Sequence, residues 1–161
     1  METITINANS GPSRILIGER LENLQRYVPK TRPIIITDRN VRHLYPLDSM
    51  ATEVITIGTG EEIKTLDTVR DIYGHLLSSE ADRSSFIVGI GGGIVCDITG
   101  FVASTFLRGV RFGFVATTLL AQVDAGVGGK NGVNFKGYKN MVGLFHQPEF
   151  VICDPEILKT L

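Results

Sequence analysis

Three consecutive glycines, Gly91 to Gly93, stand between an apolar, β-branched run (Phe86, Ile87, Val88, Ile90) and residues at helical spacing (Ile94, Val95, Ile98, Phe101, Val102, Phe106). The pattern predicts strand, glycine turn and helix in that order. Such a unit suits a phosphate: glycines let the backbone approach an anion, and the helix N-terminus offers unpaired N–H groups and a partial positive charge. The same glycines also suit a tight turn that packs a helix on a strand. What favours a ligand is company. Asp38, Gly60-Glu61 and Thr117-Thr118 also fall at predicted C-terminal strand ends, the edge where open α/β sheets bind ligands. A carboxylate such as Asp38 suits ribose hydroxyls, and the glycine turn suits a diphosphate. The usual dinucleotide fingerprint is not met, because Gly91-Gly-Gly-Ile-Val-Cys96 puts cysteine at the third glycine position. No acid follows in Arg111–Val115 either. The phosphate loop of nucleoside triphosphatases is excluded too, since Gly129-Lys130 is followed by Asn131.

The elements that must position these residues alternate along the chain. Thr3–Ile6 and Arg14–Ile17 predict two N-terminal strands, joined as a hairpin through Ser10-Gly11-Pro12. Leu21, Leu24 and Val28 suggest a short helix ended by Pro29. A buried strand over Pro33–Asp38, a short helix at Val41–Leu44 and a strand at Glu53–Ile57 follow. A long amphipathic helix then runs through Ile63, Leu66, Val69, Ile72, Leu76 and Leu77. After the glycine turn come a strand at Arg111–Val115 and a short helical face of Leu119, Leu120 and Val123. Between Gly126 and Gly143 six glycines mix with Lys130, Lys136, Lys139, Asn131, Asn134 and Asn140. That stretch reads as a polar loop too long for a simple connector, functional or disordered. Glu149–Asp154 predicts a last strand, and Pro155 opens a helix that Leu161 cuts short, as if the natural chain continued. The expected fold is α/β, Rossmann-like, a mostly parallel sheet with flanking helices. Residues 1–161 read as one domain.

Composition narrows the partners. The 161 residues carry a net charge of −1 and no block of like charges, which gives no support to nucleic-acid or membrane-surface binding by bulk electrostatics. No membrane-length apolar run and no secretory leader are visible, so a cytoplasmic location is expected. The two cysteines, Cys96 and Cys153, lie far apart in apolar surroundings and read as buried thiols.

Taken together, Gly91–Asp97, Phe101, Leu107-Arg108-Gly109, Thr117–Asp124, Gly128-Gly129-Lys130, Lys139-Asn140 and Phe145–Pro148 closely resemble the 3-dehydroquinate synthase family. Thr37–Asn40 and Gly60–Lys64 extend the resemblance over most of the chain. Metal-dependent alcohol and glycerol dehydrogenases share the shorter Gly-Gly-Gly…Asp element but usually carry a lysine soon after the aspartate. Here Gly100 follows, which favours the cyclase branch.

The resemblance implies NAD and a divalent metal, zinc or cobalt, with a second helical domain and a homodimer. The implied reaction converts 3-deoxy-arabino-heptulosonate 7-phosphate to 3-dehydroquinate and phosphate. It proceeds by transient oxidation, phosphate elimination, re-reduction and aldol closure. Cofactor contacts carry over to Asp38, Asn40, Gly60, Glu61, Lys64, Gly92, Gly93, Asp97, Thr117, Thr118, Lys130, Lys139 and Thr160. Helix N-terminal charge complementation is the plainer role for Asp38 and Asp97. Substrate and catalytic roles carry over to Lys130, Asp124, Asn140 and Arg108, the last reaching across a dimer interface. None of His43, His75 and His146 matches a metal ligand of the family, whose ligands lie beyond Leu161. His43 and His75 read as surface residues, and His146 as holding local structure. The fragment alone is therefore expected to lack cyclase activity.

Departures fall at Cys96, where glycine is usual, at Ala125-Gly126, where serines are common, and at Asn131, where threonine is usual. The rival readings are another sugar-phosphate cyclase of the 2-deoxy-scyllo-inosose synthase type, a glycerol-dehydrogenase-like oxidoreductase, and a non-catalytic nucleotide-binding module.

Overall fold

A computed structural model describes residues 1–8, 11–30 and 33–161. Among these residues nine strands and three α-helices follow one another as β1 (Glu2–Ala8), β2 (Gly11–Ile17), β3 (Ile34–Asp38), α1 (Arg39–Leu44), β4 (Glu53–Ile57), α2 (Leu66–Ser78), β5 (Phe86–Gly91), α3 (Gly93–Thr105), β6 (Arg111–Ala116), β7 (Lys130–Phe135), β8 (Tyr138–Phe145) and β9 (Phe150–Cys153). Seven of the strands form one sheet in the order β1-β2-β9-β6-β5-β3-β4. Only the β1–β2 pair is antiparallel; every other pairing in this sheet is parallel. The expected N-terminal hairpin is therefore present, although Ser10 of its turn lies outside the described residues.

The central strands read as continuous apolar runs because both sheet faces are covered. Along β5, Phe86, Val88 and Ile90 face a cluster with Leu24, Val41 and Phe150, while Ile87 faces Val69, Ile72, Ile98 and Val102 of α2 and α3. The strand order reverses between β3 and β5. That reversal opens a crevice at their C-terminal ends, next to Asp38 and Gly92.

Three local expectations need correction and a fourth needs completing. Gly126–Gly143 is not a loop: β7 and β8 pair antiparallel through a two-residue turn in which Lys136 and Gly137 both have positive φ (49° and 83°). Its inward residues Asn131 and Val133, with Val142 and Leu144, pack it on α3, and the one polar residue among these four, Asn131, obscures the period of two. Leu119, Leu120 and Val123 do lie on a short helical stretch that runs into the π-turn Ala121–Ala125, but all three are exposed and its buried residue is Ala121. The helix expected from Ile63 begins only at Leu66, N-capped by Thr65, and Leu77 is solvent-facing. The segments after Leu21 and after Pro155 form short 3-10 turns, Leu21–Arg26 and Ile157–Thr160.

Cys96 and Cys153 are buried free thiols, and burial raises the pKa of both, that of Cys153 to about 11. No helix among the described residues is long and apolar enough to cross a membrane.

Candidate functional site

The glycine turn is closed by its neighbours. Thr117 donates its backbone N–H to the carbonyl of Gly91 at 2.9 Å. A Cβ on Gly92 would come within 3.1 Å of the Thr118 methyl, and one on Gly93 within 3.0 Å of the Ala125 Cβ. Close packing is thus one reason for these glycines. The second is that no side chain caps α3 at Gly92, which leaves the first-turn N–H groups available to an anion. A strand-end acid, a bare helix N-terminus and a crevice between them fit the ribose and diphosphate of a dinucleotide.

Asp38 already caps α1, accepting the N–H of Val41 at 2.9 Å, so its plainer role is realised. Asn40 lies exposed in the same first turn. Gly60, at φ 90°, opens the turn that carries Glu61 to Ile63 and ends at Lys64.

Lys64 is the unexpected residue. It is only 4% exposed, yet its ammonium donates to Asp97 Oδ2 and to Asn140 Oδ1, the latter at 2.5 Å. Asp97 sits one turn into α3 and caps nothing. Burial raises its carboxyl pKa, and the Lys64 ammonium opposes that shift. Lys64 thus joins the end of the Glu61–Ile63 turn to α3 and to the β7–β8 hairpin.

Beyond it opens a cleft of about 430 Å³ lined by Asp97, Asp124, Lys130, Asn131, Asn140 and Phe145, among others. Lys130 donates to Asp124 at 2.9 Å, and that hydrogen bond raises the lysine pKa. The cleft therefore presents one cation beside a carboxylate, a second buried cation behind, and an apolar wall of Met141, Leu144 and Phe145. Its polarity suits a small, phosphorylated, hydroxylated molecule. Lys139 is exposed beside Asn140 on β8. Thr160, after β9, donates its hydroxyl to the Ile157 carbonyl at 2.8 Å.

Arg108 is not in this cleft. It follows α3 at φ 68°, beside Leu107 at φ 50°, before β6 begins. The groove it lines with Arg111 and Glu149 lies at the start of β6, a strand's length from Thr117.

Two residues given no role by sequence are central. Asn131 is buried and donates to the carbonyls of Gly129 (3.0 Å) and His146 (2.8 Å), so the residue that stands where threonine is usual is fully engaged. Its partner is Gly100, where a Cβ would lie 1.8 Å from Asn131 Oδ1. Asn134 binds Glu61 and Asn140. No alternation in the sequence marks either one, since Asn131 is polar in the inward register of β7 and Asn134 falls in the opposite register.

His146 holds the hairpin's exit: its Nδ1 lies 2.9 Å from Ser104 Oγ and its ring is edge-on to Phe112, and burial lowers its pKa. His43 and His75 are exposed. Among the described residues no three of His, Cys, Asp and Glu gather as a metal site would require.

Residues 54–161 match the model of the 3-dehydroquinate synthase N-terminal domain. The 3-dehydroquinate synthase of Acetivibrio thermocellus is 57% identical over 105 residues, covering 65% of this chain and 29% of its own length. That of Nitrosospira multiformis is 40% identical over an alignment of 177 positions that takes in 100% of this chain and 48% of its own length. Among solved structures, a 2-deoxy-scyllo-inosose synthase complexed with carbaglucose-6-phosphate, NAD+ and Co2+ superposes with a TM-score of 0.84 at 31% identity, over 98% of this chain and 47% of that one. The chain thus spans less than half the length of each of these relatives.

Proposed function

Because the chain belongs to the 3-dehydroquinate synthase family, we propose that it is the NAD-binding half of a 3-dehydroquinate synthase, a lyase that turns 3-deoxy-arabino-heptulosonate 7-phosphate into 3-dehydroquinate and phosphate. The observation that carries the reading is Lys64, buried between Asp97 on the cofactor helix and Asn140 on the hairpin that walls the cleft. One ammonium thus touches both halves of the site that a cofactor-assisted cyclisation needs.

Bound NAD supplies reversible removal of a hydride from a carbinol carbon, which acidifies the neighbouring C–H. Around it, Asp38 and Asn40 would meet the adenosine end, and Gly92 and Gly93 the diphosphate at the α3 N-terminus. Gly60, Glu61, Lys64, Asp97, Thr117, Thr118, Lys139 and Thr160 would complete the cofactor contacts. Lys130, held by Asp124, would bind the substrate phosphate and neutralise the charge that develops as it leaves, with Asn140 orienting the substrate. Arg108, outside the cleft, would serve the site of a partner copy in a homodimer. Metal ligands and a helical second domain are assigned outside these 161 residues, and the two buried thiols support a cytoplasmic setting.

The test is a phosphate-release assay on the protein that carries this chain, with the nicotinamide absorbance followed in parallel. Phosphate and 3-dehydroquinate should appear without net NADH; accumulating NADH would mark a glycerol-dehydrogenase-like enzyme instead. The likeness to an inosose synthase makes glucose 6-phosphate the control substrate, and turnover of it alone would move the assignment to that cyclase. The 161-residue chain by itself is expected to bind NAD and release no phosphate. Calorimetric titration of Asp38→Ala should show NAD binding weakened about tenfold, beside a loss of about 1 kcal/mol in stability from the missing cap. Equal heats for variant and wild type would count against this edge as the cofactor site.

A further inference from the structure

The hairpin's register breaks at one place. Val133 pairs with Val142 and Phe135 with Tyr138, so the single residue Asn134 faces three, 139–141. The surplus forms a bulge on β8 with Asn140 at φ 53°, and a bulge re-aims the side chains it carries. Lys139 and Asn140, two of the polar groups assigned to cofactor and substrate, ride on it.

Asn134 holds this bulge from below. Its Oδ1 accepts the backbone N–H of Asn140 at 2.9 Å, which fixes the left-handed turn. The Nδ2 donates to Glu61 Oε1 at 2.8 Å. Its backbone N–H donates to the carbonyl of Lys64 at 2.8 Å, and it bridges to Thr65. One asparagine therefore grips the loop that carries Glu61 and Lys64 and the bulge that carries Asn140. The ammonium of Lys64 closes the ring back to Asn140.

We propose that Asn134 is a positioning residue: its carboxamide sets the β8 bulge against the Glu61–Lys64 turn, and so sets Lys64 between Asp97 and Asn140 for the cofactor. The donor and acceptor ends do different jobs. An oxygen at this position is needed by the bulge, and an N–H by Glu61.

The cofactor part rests on the NAD reading above, so the experiment has two readouts on the 161-residue chain. One is NAD affinity by calorimetry. The other is hydrogen exchange of the Asn140 backbone amide without any ligand. In Asn134→Ala, exchange at Asn140 should quicken at least tenfold and NAD should bind about tenfold more weakly, under conditions where the variant is fully folded. Asn134→Asp keeps an acceptor and loses the donor, so it should restore slow exchange at Asn140 while NAD stays weakened, because two carboxylates then meet at Glu61. A folded Asn134→Ala with wild-type exchange and wild-type NAD affinity would overturn the proposal. So would an Asn134→Asp that exchanges as fast as the alanine variant. If the wild type takes up no NAD, the cofactor reading falls, and unchanged exchange at Asn140 in Asn134→Ala would still overturn the positioning role.

Discussion

Gly100→Ala is expected to destabilise the chain by about 2–4 kcal/mol, although alanine is the better helix former. Gly100 lies inside α3, where the exchange would otherwise gain roughly 1 kcal/mol from backbone propensity. Against that gain stands the Asn131 carboxamide, with Oδ1 at 1.8 Å and Cγ at 2.4 Å from the new methyl position. Asn131 cannot swing aside cheaply. It is buried, and moving it breaks its bonds to Gly129 and His146, each worth about 1 kcal/mol net and more when a buried partner is left unpaired. Urea unfolding with an unchanged slope would report the loss directly. Asn131→Gly in the Gly100→Ala background should be better tolerated than in the wild type, because the clash is then gone, and the double-mutant cycle should show coupling of at least about 1 kcal/mol. A Gly100→Ala variant that is more stable than wild type would show that propensity alone decides, and that the helix–hairpin contact is loose.

Lys64→Met is the second large effect. Methionine keeps the unbranched stem and removes the ammonium, leaving Asp97 buried without its partner; breaking such a pair costs about 3 kcal/mol at neutral pH. The pH dependence gives the sign. Burial raises the Asp97 pKa above that of an unfolded aspartate, near 3.9, so the folded state holds the extra proton. Stability therefore falls as pH rises through the window between the unfolded and folded values, and is unaffected by this group below it. In the wild type Lys64 narrows that window; in the variant it widens. The deficit of Lys64→Met should accordingly be small near pH 4 and grow toward pH 8, and Asp97→Asn in the same background should remove most of the pH dependence. A deficit under about 1 kcal/mol, or one that is flat with pH, would mean that solvent screens the pair.

The parts of the molecule that the sequence makes legible are those whose packing is local or two-sided. β5 carries apolar side chains at four of its six positions, Phe86, Ile87, Val88 and Ile90, because both faces are covered, and α3 follows at helical spacing. Asp38, Gly92 and Thr117 fall at strand ends as expected, since strand ends follow from strand runs. The hairpin was hidden for a physical reason. One of its inward residues is Asn131, its outer face shows Met141 and an 83% exposed Phe145, and its turn takes positive φ at Lys136, so neither polarity nor turn chemistry announced a strand pair. The burial of Lys64 was equally silent, because its partners lie 33 and 76 residues away and only the fold brings them together. Family resemblance named Lys64, Asp97 and Asn140 as separate contacts. It did not reveal that they form one hydrogen-bonded unit.

The hairpin belongs to a separate two-stranded sheet and meets the main body through side chains: Val133, Val142 and Leu144 on the core, Asn131 against Gly100, Asn134 against the Lys64 turn and Asn140 on the Lys64 ammonium. The C-terminal edge of the main sheet, by contrast, is fixed by the hydrogen bonds between its own strands. Exchange of the outward residues Met141 and Phe145 would thus redraw the wall of the cleft and leave that edge undisturbed. Such an arrangement lets the lining of the cleft vary without disturbing the sheet behind it.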